Sequence, residues 1–145
     1  MTRRSRRART LGGRNVLFLL CALAALAACG SSAPAARQGA AGRAGLAFAQ
    51  ALAAGDHLRA CGLLAPSTRR QLEQDERQDC PQALAAEQLP VAGGLRDVRA
   101  YGRQAMARMT GDTLFLSQFA DGWKVVAAGC TPQRDRPYEC LVKGA

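Results

Sequence analysis

The apolar residues of this 145-residue chain change period at Leu89–Gly94, and that switch limits its folds more than any other feature. Upstream, the spacing is helical: Phe48 and Leu52 stand four apart, and Leu58, Cys61 and Leu64 follow at intervals of three. Downstream, apolar and polar residues alternate in short runs separated by turn residues. The runs are Leu95–Tyr101, Ala105–Thr110, Thr113–Phe119 and Trp123–Ala128, with Leu141-Val142 able to pair as a last short strand. Gly111-Asp112 and Asp121-Gly122 are hairpin turns, the Asp-Gly pair being a strong signal. Helices followed by an antiparallel meander give an α+β domain, with short helices on a curved sheet of about four strands.

The helical half carries its own punctuation. Gly55 suits a helix C-cap, and Asp56 suits the N-cap of a second helix bearing Leu58, Cys61 and Leu64 on one face. Pro66-Ser67 breaks that helix, and Ser67 is placed to cap a third that runs through Leu72. Thr68 to Asp79 mixes charges of both signs and reads as a solvated face. Cys80-Pro81 begins the last helix, with Pro81 in its first turn, ending near Glu87. In the strand half, Phe115, Phe119 and Trp123, with Leu114, Leu116 and Val125, exceed what one sheet face needs. One side should meet the helices while the other is partly covered by loops or lines a cavity. Tyr101, Phe115, Phe119 and Trp123 are the candidate pocket lining.

Residues 1–28 have a different character. Six arginines and no acid occupy positions 1–14, followed by the 13-residue apolar run Val16–Ala28. A basic region, a short apolar region and small residues at the cut are the parts of a secretory signal. The run is shorter than the roughly 20 apolar residues a membrane span needs. Leu26-Ala27-Ala28-Cys29, followed by Gly30-Ser31-Ser32, resembles the lipobox of bacterial lipoproteins. The resemblance implies that Cys29 becomes the lipidated first residue of a mature protein held on the extracytoplasmic face of the cell membrane. Ser5-Arg6-Arg7 faintly resembles a twin-arginine signal, so the export route stays open. Gly30–Gly42, GSSAPAARQGAAG, is small and nearly uncharged, and reads as part of a flexible tether over 29–42. Such a tether spans roughly 20 Å. A single domain is expected over 43–145.

The leader also removes a misleading charge. The formal balance of +9 suggests nucleic acid, but the leader holds six of the 20 basic residues. The rest of the chain has 14 basic and 11 acidic side chains, scattered rather than clustered. A nucleic-acid interface needs a basic face, and no such partner is expected.

With Cys21 and Cys29 assigned to the leader and the anchor, Cys61, Cys80, Cys130 and Cys140 remain. An even count in an exported domain of this size reads as two disulfides with three possible connectivities. The local closures, Cys61–Cys80 and Cys130–Cys140, are favoured. The spacing holds no Cys-x2-Cys pair and the chain has one histidine, His57, so no metal or other cofactor is expected. His57 has only Asp56 beside it and reads as an exposed first-turn residue rather than a catalytic one.

The run Phe48…Ala51…Gly55-Asp56…Ala60-Cys61…Leu63-Leu64, with Asp121-Gly122-Trp123-Lys124-Val125, resembles the nuclear transport factor 2 superfamily. In particular it is similar to secreted actinobacterial lipoproteins, whose ending Gly129-Cys130 and Tyr138-Glu139-Cys140 match best. The resemblance covers roughly Arg43 to Val142. It implies helices curled against a bent sheet to form a cone. It implies a non-enzymatic domain that contacts another envelope protein or holds a small apolar ligand. Ketosteroid isomerase and polyketide cyclases share the fold and place an acid and a hydrogen-bond donor in the cone. The alternative is thus a small isomerase or cyclase-like enzyme with Tyr101 as donor. No acid of the chain matches the base that chemistry needs.

Overall fold

A computed structural model describes residues 32–144. The leader 1–28, the lipidation candidate Cys29 and the two residues after it lie outside the described residues.

The first element corrects an expectation. Helix α1 (Ser32–Ala53) runs for 22 residues, so most of the segment read as a flexible tether is helix and the domain does not begin at Arg43. Alanines give the segment high helix propensity, and Pro34 sits in the first turn, where its missing N–H is harmless. Ala41, Gly45, Phe48 and Ala49 are buried at helical spacing. Glycines let this helix close onto the sheet. A Cβ on Gly42 would stand 3.0 Å from Leu95 Cδ2 and 3.1 Å from Val98 Cγ2. The helix ends as expected at Gly55, whose φ of +67° suits glycine. Gly55 N–H donates to Leu52 O at 2.9 Å and Asp56 N–H to Ala51 O at 2.8 Å, a Schellman pair.

Helices α2 (His57–Leu63), α3 (Pro66–Glu76) and α4 (Cys80–Ala86) follow. Asp56 caps α2, its carboxylate accepting Arg59 N–H at 3.0 Å. The cap expected of Ser67 is not made: Ala65 precedes α3, which opens directly on Pro66. Leu58 was expected on the buried face of α2 but is 74% exposed, while Ala60, Cys61 and Leu64 are buried. Cys61 is bridged to Cys80, joining α2 to the start of α4, and Cys130 is bridged to Cys140. Both local closures are therefore present.

The sheet is an antiparallel meander in chain order: β1 (Leu95–Tyr101), β2 (Gln104–Met109), β3 (Thr113–Phe119), β4 (Gly122–Thr131) and β5 (Glu139–Lys143). Its helix-facing side carries Ala105, Ala107, Leu114, Leu116, Val125 and Val142, all buried against Phe48, Leu72 and Leu84.

Register shifts at Leu95/Asp97 and Phe115/Leu116 interrupt the ladder, the kind of irregularity that bends a sheet. The second leaves Val126 without a partner on β3, and its carbonyl is satisfied from elsewhere. Thr68 Oγ1 donates to Val126 O at 3.1 Å, as does Gly144 N–H at 3.1 Å. Ala65 N–H donates to Val125 O at 2.8 Å. The start of α3 is thereby fastened to the bulged strand. Thr68, read from sequence as part of a solvated face, is wholly buried for this reason.

Candidate functional site

The four aromatic residues expected to line one pocket occupy two sides of the sheet. Gln118 pairs with Trp123, and Leu116 with Val125, which sets Trp123 on the helix-facing side. There it is 7% exposed, and its Nε1 has no hydrogen-bond partner among the described residues. Phe115 and Phe119 alternate with Leu114, Leu116 and Gln118, so they face away from the helices. Phe115 is half-buried because Tyr138, from the loop before β5, lies edge-on to it at 5.1 Å and 76°. Tyr101, at the end of β1, is 67% exposed. The four do not converge on a cavity. Beneath the helices, Phe48, Leu114, Leu116 and Val125 are almost wholly buried and belong to the packed core.

A different residue gathers polar contacts. Asp112, read from sequence as half of a turn, turns its carboxylate inward. Oδ1 accepts Thr113 N–H at 2.6 Å and Cys130 N–H at 2.9 Å, and Oδ2 accepts Gly129 N–H at 3.1 Å. Burial pushes its carboxyl above the ordinary 3.8, and the three N–H groups pull the other way. The residues around it suit this arrangement. Gly129 has a φ of +66°, and a Cβ there would meet Leu89 Cδ2 at 2.8 Å and Leu141 Cδ1 at 3.0 Å. Asp112, Gly129, Cys130, Cys140 and Leu141 share a depression of about 340 Å³ at this end of the sheet. No sequence signal separates such a carboxylate from an ordinary turn aspartate, because its partners lie some 17 residues downstream.

The two edges of the sheet differ in their balance of charge. Along β5, a cavity of about 280 Å³ is lined by Leu72, Asp75, Glu87, Leu141, Val142 and Lys143. Desolvation there raises the Glu87 carboxyl, and Glu76 and then Asp75 add to it by repulsion. At the β1 end the residues are basic. Arg103 donates from Nε and Nη2 to Gln118 O at 3.1 and 2.7 Å, tying the β1–β2 turn to β3. Arg99 pairs with Asp97 at 3.2 Å, and the Tyr101 hydroxyl, then Asp97, hold its pKa above the ordinary value. Arg37 of α1 shares a depression of about 190 Å³ with Pro34, Ala100 and Gly102.

His57, expected to be exposed, is half-buried at the start of α2. The Asp56 carboxylate is engaged as the α2 cap. Among the described residues no group of three metal-ligating side chains occurs, and no helix is long and apolar enough to cross a membrane. No family model, curated protein or solved structure matches the chain.

Proposed function

We propose that this chain is an exported lipoprotein, anchored through Cys29, whose domain serves a non-enzymatic interaction with another envelope protein. The observation that carries the anchor is the order of the leader: an arginine block, 13 apolar residues, then Leu26-Ala27-Ala28-Cys29. The two disulfides support an oxidising compartment outside the cytoplasm. Between a protein partner and a small apolar ligand, the packing favours the partner: Leu114, Leu116 and Val125 are packed into the core, and the cavity along β5 is lined by Asp75, Glu87 and Lys143 beside its apolar residues. Val91, 75% exposed, and Leu141 offer apolar contacts at the end of the sheet that holds Asp112.

Cys29→Ser tests the anchor. The variant is expected to leave the membrane fraction or to accumulate as uncleaved precursor. Normal retention with normal processing overturns the anchor. Native mass spectrometry of the protein from an oxidising host tests the choice of partner. The mass of the acylated mature chain with no further adduct, four hydrogens below its reduced form, is expected, and a retained small molecule lost on denaturation overturns the protein-partner reading.

A further inference from the structure

Where α1 begins relative to the sheet constrains how an anchored domain would sit. Pro34, in the first turn of α1, adjoins Ala100 and Gly102 at the β1–β2 turn. Cys29 is five residues earlier in the chain. A fully extended chain covers at most about 3.6 Å per residue, so a lipid on Cys29 attaches within about 18 Å of Pro34. The side chains at that turn suit an interface. Tyr101 is exposed, an aromatic body with a polar tip. Arg37, Arg99 and Arg103 are exposed around it, and among the described residues neither Arg37 nor Arg103 pairs with a carboxylate. The acids of the Glu87 cavity lie at the opposite edge, along β5.

From this placement we infer that the β1–β2 turn, with Tyr101, Arg37, Arg99 and Arg103, is a docking surface for the anionic lipid headgroups of the membrane that holds the anchor. The inference rests on the lipoprotein reading. An anionic surface attracts this end more strongly than the β5 edge, where Asp75, Glu76 and Glu87 offset Lys143, so the difference orients the domain as well as attracting it. One acyl-bearing residue holds the protein at the membrane, and the arginines then decide which face looks down.

The test uses the full lipidated protein in vesicles of phosphatidylcholine alone or with phosphatidylglycerol, read by amide hydrogen exchange. The peptide spanning Arg99–Gln104 is expected to exchange about tenfold more slowly on the anionic vesicles, and 0.5 M salt is expected to reverse this by screening the arginines. The combined variant Arg37→Glu, Arg99→Glu and Arg103→Glu is expected to lose the slowing while still floating with vesicles. Equal exchange on both vesicle types, with Cys29 acylated by intact mass, overturns the docking and leaves the anchor standing. Slowing that appears without lipid as protein concentration rises also overturns it, in favour of a protein contact. An unacylated Cys29 overturns the anchor and the docking with it.

Discussion

Asp112 accepts the backbone N–H of Cys130 at 2.9 Å, so a turn carboxylate between β2 and β3 holds the residue that is bridged to Cys140. Three buried N–H groups depend on that side chain. Asp112→Ala leaves all three unsatisfied and is expected to cost about 3 kcal/mol. Asp112→Asn keeps Oδ1 but turns an amide NH2 toward Gly129 N–H, for a loss of about 1–2 kcal/mol. Urea unfolding measures both, and an alanine variant as stable as the parent would show that the carboxylate is incidental.

The same carboxyl makes stability depend on pH. Burial raises its folded pKa above 3.8. The folded state therefore holds the proton more tightly than the unfolded chain. Its contribution is full below pH 3.8 and is lost as pH rises through the higher folded value. The stability difference between the parent and Asp112→Asn should be constant below pH 3.8 and shrink as pH rises through the folded carboxyl's higher value. The direction for Glu87 is the same, and Glu87→Gln should stabilise the protein at neutral pH by removing a desolvated charge and, with it, the repulsion from Glu76 and Asp75.

Two glycines should respond in opposite ways. Gly129→Ala puts a Cβ 2.8 Å from Leu89 Cδ2 at a left-handed φ, and is expected to cost about 2–3 kcal/mol. At Gly94 the space is open and φ is ordinary, so alanine should be neutral or stabilise by about 0.5 kcal/mol. Thermal melts of the pair give the contrast, and equal effects would mean that neither the space nor the φ governs.

Ala41 distinguishes a folded helix start from a tether. It is wholly buried in α1. Ala41→Asp places a charge in that contact and should destabilise the domain by about 3 kcal/mol, whereas a substitution in a solvated linker would change nothing. Denaturant midpoints decide.

Removing the Cys61–Cys80 bridge as the double serine variant should cost about 3 kcal/mol, with a similar value for Cys130–Cys140 from loop entropy. Calorimetry under oxidising conditions checks both.

What the sequence disclosed was mostly local. Asp56 as a cap, Gly55 at a helix end and Asp121-Gly122 at a hairpin act through neighbours a few residues away, and each is in place. The start of α1 was obscure because alanine and glycine serve both linkers and helices. Only the approach of Leu95 and Val98 to Gly42 decides between them. The aromatic group failed for a similar reason. Phe115 and Phe119 sharing a face is legible from alternation, but Trp123 lying opposite Gln118 depends on a cross-strand register broken at Phe115/Leu116. Asp112 and Thr68 were missed because their partners, Cys130 and Val126, are distant in the chain.

The order of the sheet has a consequence for a chain that folds from its N-terminal end. Each strand pairs with the strand just before it, and each disulfide joins consecutive cysteines of the domain, 19 and 10 residues apart. Loops between paired strands and between bridged cysteines are therefore short, which favours their rapid assembly. When Cys80 is reached, Cys61 is the only earlier cysteine of the domain, and once that bond is made Cys140 meets Cys130 alone. The connectivity can be written in sequence, left to right, with no wrong bond to undo.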